Sequence, residues 1–212
     1  MHHHPGHPAS RRPSSSTVTL DGGHDAHAAL VLAAAAGNQI AWSALVQRFA
    51  GLVWAIARAY GLPAAQAASV AQATWLRLAQ DLNRIPDPAH VGSWLAATAR
   101  QESLRVLRLG GHHDLDTDLS LDLDLDVDVD GTPGDHLESD AALWQAFERL
   151  PAGCRRLLRV AAADPPPSPA EMSAALAIPI TDIAATRRRC LDGLRQQQRE
   201  PTALTAHGGH RE

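Results

Sequence analysis

Trp42, Leu45, Val46, Phe49, Val53, Ile56, Ala57 and Tyr60 follow one another mostly at steps of three and four, the spacing that lines one face of a helix. Gly61 ends that helix and Pro63 opens the next, which runs to about residue 82 with Val70, Thr74, Leu78 and Trp75 turned inward. A Pro-rich break at 83–88 separates it from a third helix with Val91, Trp94, Leu95, Thr98, Ala99 and Val106 on one side. A short helix over 27–36, closed by Gly37-Asn38, precedes all three. The pattern predicts a first helical domain over residues 25–109. Residues 1–24, rich in His, Pro, Ser and Gly, show no period and are expected to be disordered.

The second half has its own pattern. A helical stretch over 137–160 carries Leu143, Phe147, Leu150, Leu157 and Leu158, with Pro151 kinking or splitting it. Asp164-Pro165-Pro166-Pro167 makes a rigid turn. Ser168, with Pro169 and Glu171 after it, then reads as a capping box opening a short helix to Leu176. A tight turn at 177–180 leads into a longer helix over about 181–198. This is a second helical domain, 137–200, followed by a loose tail at 201–212. The fold class is all-α: two helical domains joined by an acidic linker at 110–136.

Within that linker, apolar and acidic residues alternate with period two, as in a strand. One face would then be a row of Asp, and like charges at that spacing repel. The two readings are an extended, flexible linker and a strand formed only against a basic partner.

Charge sharpens the division. Residues 39–109 hold seven Arg against three acidic residues, 110–140 hold eleven acidic residues and no Arg, and 141–200 hold nine Arg against six. The overall charge of −4 hides two mildly basic blocks around a strongly acidic strip. Basic blocks suit a polyanion; a like-charge run suits an unfolded connector. Every fixed cation is Arg, a bias that by itself marks no site.

The two cysteines, Cys154 and Cys190, are too few for a disulfide framework and read as small core residues. The twelve His fall in loops and at the ends, with no HExxH and no Cys/His ligand set, so no metal site is expected. No catalytic arrangement lies on an ordered element; the chain reads as a non-enzyme with no cofactor and no small-molecule substrate. No apolar run of about 18 residues is evident, so no membrane insertion is expected. The start, Met1 to Pro5, lacks the apolar core of a signal peptide, which makes a cytoplasmic location the expectation.

Two short helices around a tight turn, the second rich in Arg, describe a helix-turn-helix. On the second, Ile183, Cys190, Leu191 and Leu194 share an inward face. The opposite face shows Thr181, Asp182, Ala185, Arg188, Arg189 and Asp192; the DNA-binding candidates are Thr181, Asp182, Ala185, Thr186, Arg188 and Arg189, with Arg187 nearer the buried edge. Small residues near the helix start let the backbone approach a duplex, and Arg suits guanine edges and phosphates.

These segments resemble the sigma-70 family of the extracytoplasmic-function (ECF) type, in an actinobacterial style. Leu150-Pro151 with Arg155-Arg156-Leu157-Leu158, Ala170-Glu171-Met172, Ile178-Pro179-Ile180 and Thr186-Arg187-Arg188-Arg189-Cys190-Leu191 are similar to successive pieces of the family's region 4. Residues 42–49, 70–78 and 93–102 are similar to pieces of its region 2, in the family's order. The resemblance implies a partner, core RNA polymerase, docked by Val70, Gln72, Thr74, Trp75 and Arg77. It also implies promoter DNA, held at the minus-ten element by Trp94, Arg100, Gln101, Arg105 and Arg108 and at the minus-thirty-five element by region 4. Trp94 has a second reading as a core residue, since it lies on the apolar stripe. An anti-sigma factor is a further candidate partner. Two departures stand out: Ser69 or Ala71 replaces the usual acid of the docking segment, and Ala177 and Thr181 replace the usual glycines of the recognition turn. The rival reading is a one-component helix-turn-helix regulator that never meets polymerase. The acidic strip could also fold back on region 4 and mask its Arg.

Overall fold

The computed structural model describes residues 22–109 and 137–199. The acidic linker, the tail and the expected disorder of residues 1–21 lie outside the described residues. Residues 22–24, also expected to be disordered, are instead the first turn of a helix.

Eight α-helices make up the described parts: α1 (Gly22–Ala35), α2 (Gln39–Ala59), α3 (Ala64–Asp81), α4 (Val91–Leu109), α5 (Leu137–Glu148), α6 (Ala152–Ala161), α7 (Pro169–Leu176) and α8 (Ile180–Arg199). Two single 3-10 turns, Leu82–Arg84 and Pro88–His90, fill the Pro-rich break. Local chemistry sets the boundaries. Asn38 caps α2, its side chain accepting from the amides of Ile40 and Ala41. Gly37 and Gly61 take positive φ, the conformation that ends α1 and α2. Pro151 splits the 137–160 stretch into α5 and α6.

By length and apolarity α2 could cross a membrane, which residue-by-residue reading did not suggest. Its apolar residues are spent elsewhere: Leu45, Phe49, Leu52, Val53, Ile56 and Ala57 are all buried at the centre of the protein. It is a core helix.

The interior is continuous across the two halves of the chain. Leu157 and Val160 of α6, and Met172, Ala175 and Leu176 of α7, join the cluster formed by α1 to α4. The N-terminal bundle and the helix-turn-helix therefore pack against each other, α6 on α2 and α7 on α4. Two glycines allow this closeness. A Cβ on Gly92 of α4 would stand 2.0 Å from Glu171 Oε1, and one on Gly51 of α2 would stand 2.2 Å from the Asp164 carbonyl oxygen.

Candidate nucleic-acid interface

The helix-turn-helix is α7, a turn and α8, and its start is chemically fixed. Ser168 Oγ accepts from the Glu171 amide, and Glu171 Oε2 accepts from the Ser168 amide, closing the expected capping box. The turn reverses at Ala177, whose φ of 55° is left-handed. Ser173 Oγ donates to the Ile178 carbonyl across that turn at 2.6 Å.

From there α8 presents two faces. Ile183 and Cys190 are buried, and Leu191 and Leu194 are partly covered. Thr181, Asp182, Ala185, Arg187, Arg188 and Arg189 are exposed, with Thr186 half-buried beside them. Arg189 Nη2 donates to Thr186 Oγ1 at 3.1 Å, and Thr181 Oγ1 donates to Asp182 Oδ1 at 3.2 Å. The exposed face is thus small and polar at its start and cationic in its middle. Arg187 borders an apolar groove of about 350 Å³ formed by Leu143, Trp144, Phe147, Leu158, Leu191 and Leu194.

The cysteine expectation is overturned here. Cys154 and Cys190 are joined by a disulfide that ties the first turn of α6 to the middle of α8. Two residues far apart in the chain, each on the buried side of its own helix, gave no sequence signal of their distance.

On α4, Gln101, Arg105 and Arg108 are exposed, while Trp94 is half-buried against the core. Arg100 is half-buried, and its Nε donates to the Ala174 carbonyl of α7 at 3.1 Å, which leaves its terminal nitrogens as further donors. Arg105 shares a partner that sequence reading did not assign. The carboxylate of Glu102, only 3% exposed, receives Arg105 Nε at 2.7 Å and Arg77 Nη2 at 2.8 Å. A buried acid with two half-exposed cations thereby links α3 to α4.

The α3 residues divide. Gln72 and Arg77 are exposed, and Trp75 is half-buried with its ring 6.4 Å from that of Trp42. Val70 and Thr74 are 1% and 0% exposed, with Thr74 Oγ1 donating to the Val70 carbonyl. Neither can meet a partner. They are corrected to core positions that hold α3 on its neighbours, because α3 packs against both α2 and α4 and its apolar stripe is consumed there. Leu76, passed over in sequence, is the large apolar residue α3 leaves exposed.

Comparison with known proteins finds a likeness for part of this geometry. Residues 45–111 match the family described as Sigma-70 region 2. This stretch takes in α3 and α4 and all of α2 beyond its first turns. Among curated proteins none matches the chain. Among solved structures, that of CnrH in complex with the cytosolic domain of CnrY is similar, with a TM-score of 0.54 and 21% identity. The likeness covers 81% of this chain and 96% of that one, so the shared fold extends well past residues 45–111.

Proposed function

We propose that this chain is a sigma factor: it binds core RNA polymerase and directs promoter recognition and transcription initiation. The observation that carries the reading is the region 2 match at 45–111, joined in one chain to a capped helix-turn-helix. In this proposal the exposed side of α3, with Gln72, Trp75, Leu76 and Arg77, docks on polymerase. A half-apolar, half-polar helix face suits a partner helix. Gln101, Arg105 and Arg108 of α4 hold the minus-ten element, with Trp94 behind them. Residues 181–189 of α8 enter the groove at the minus-thirty-five element, where Arg188 and Arg189 reach base edges and phosphates. Arg100 joins Gln101, Arg105 and Arg108 through the guanidinium donors that its bond to Ala174 leaves over. The role is binding rather than catalysis, and its place is the cytoplasm.

A protein that restrains the chain belongs to the same proposal, since the CnrH structure carries the cytosolic domain of CnrY. A one-component regulator would need the helix-turn-helix but would have no use for a region 2 domain. Run-off transcription with purified core polymerase over a promoter library tests the proposal. Promoter-specific transcripts that require the chain are expected. If the chain neither associates with core polymerase nor directs any transcript, the reading is wrong.

A further inference from the structure

The Cys154–Cys190 bond closes a loop, 36 positions in sequence, that contains α7, the recognition turn and most of α6. The residue it holds on α8 comes directly after Arg187, Arg188 and Arg189. The bond therefore fixes how α8 is rotated over α6, and with it the direction in which those guanidinium groups point.

The two sulfurs differ in access. Cys190 is 1% exposed, whereas Cys154 is only partly covered, and the position beside it, Gly153, has open space around it. A small solute meets Cys154 first. Cys154 is also the third residue of the ten-residue α6. A helix N-terminus favours an anionic, reactive sulfur, while burial in the protein interior disfavours one at Cys190.

We propose that Cys154 and Cys190 form a reversible oxidation site within the helix-turn-helix, with a hydroperoxide as oxidant, Cys154 as the sulfur attacked and Cys190 as the resolving thiol. The Cys154 thiolate attacks one hydroperoxide oxygen; an S–O bond forms, the O–O bond breaks, and the other oxygen leaves as water or alcohol after protonation. Cys190 sulfur then attacks Cys154 sulfur; the S–S bond forms, the S–O bond breaks, and hydroxide departs with the Cys190 proton as water. Two thiols lose two electrons and one hydroperoxide gains them. A small dithiol reverses the change by exchange, entering at the accessible Cys154. Oxidation pins α8 to α6; reduction releases it. Compartments where promoters are read keep thiols reduced, which makes the bond conditional there. That last step rests on the sigma-factor reading, and the thiol chemistry does not.

The test uses the full chain, reduced with dithiothreitol, freed of it and titrated with hydrogen peroxide, with remaining thiols alkylated and masses read. Both thiols are expected to disappear together in the monomer and to return with dithiothreitol. In Cys190→Ser, dimedone should trap a sulfenic acid on Cys154. In Cys154→Ser, labelling of Cys190 should be slower by about tenfold or more. Intermolecular dimers, independent oxidation of the two thiols, or equal labelling in the two variants would overturn the assignment. Because Ser at the buried position 190 disturbs packing, a second measurement uses the unmutated chain alone. Amide exchange in α8 should quicken by roughly tenfold on reduction. Identical exchange in the two redox states would remove the pinning. A chain that never binds polymerase leaves every one of these readouts unaltered.

Discussion

The hydroxyl of Tyr60, immediately after α2, donates at 3.0 Å to the carbonyl of Ala175 in α7, across 115 positions of sequence. The Arg156 guanidinium of α6 stands 4.5 Å from the centre of the same ring. Burial raises the Tyr60 pKa, opposed by the charges of Arg156 and Arg100, so the phenol stays a neutral donor. One side chain of the N-terminal half thus meets two helices of the other half. Tyr60→Phe keeps the ring and its cation contact but loses the donor, and should lower unfolding free energy by about 1 kcal/mol. Urea denaturation checks this; an unchanged midpoint would show that the bond contributes nothing.

Gly92 is where α4 and α7 come closest. An added methyl would meet Glu171 Oε1 at 2.0 Å and Phe49 Cε1 at 2.8 Å, both within a packed interior. Gly92→Ala should therefore destabilise the protein by about 1–3 kcal/mol, despite the better helix propensity of Ala. A raised thermal midpoint would contradict this.

Ala177 offers the opposite case. It is an exposed, left-handed residue whose Cβ costs about 1–2 kcal/mol in that conformation and packs against little. Ala177→Gly should raise stability by about 1 kcal/mol or less, because glycine also gains freedom in the unfolded chain. Calorimetry on the pair of proteins decides it.

His27 lies partly buried, its ring 5.1 Å from that of Phe49. Burial first, then the positive charges of Arg48 and His24, lower its pKa, and Glu171 opposes them. The fold thus favours the neutral ring relative to the unfolded chain, where the ordinary value is about 6.5. Stability from this group is complete above that pH and is lost as pH falls through it toward the depressed folded value. The denaturation midpoint should fall between about pH 7.5 and 5.5, by less in His27→Gln than in the unmutated chain. Equal losses in the two proteins would exonerate His27.

Arg188 and Arg189 are exposed on α8. If each meets a phosphate, replacing either with Ala should lower the slope of log affinity against log salt by about one. Filter binding of promoter fragments by the polymerase complex over a salt series measures it. A slope unmoved by both changes would place them away from DNA.

Much of this fold was legible because its signals are local. The α2 stripe, the break at Pro151 and the capping of α7 by Ser168 each depend on residues within a turn or two of each other. The inward face of α8 was read correctly at Ile183 and Cys190 for the same reason. What stayed hidden was distance between elements. Helical spacing gives the direction of a side chain on its own helix but not the identity of the helix it meets. At Val70 and Thr74 the spacing points inward, and it is the resemblance that offers them to a partner; the structure sides with the spacing. Nothing in the spacing of Cys154 and Cys190 reveals that their helices meet. The closure of the two halves on each other depends on the small size of Gly92 and Gly51, and absence of a side chain leaves no periodic mark.

The Glu102 carboxylate has a consequence for how two surfaces communicate. It carries one negative charge and holds a cation from α3 and another from α4. An anion that draws Arg105 away leaves that buried charge dependent on Arg77 alone, and so tightens the hold on Arg77. Arg77, already paired with Glu102, is then less free to turn to another partner. Occupancy along α4 is thereby felt on α3 with no movement of either backbone, through rivalry for a single acid.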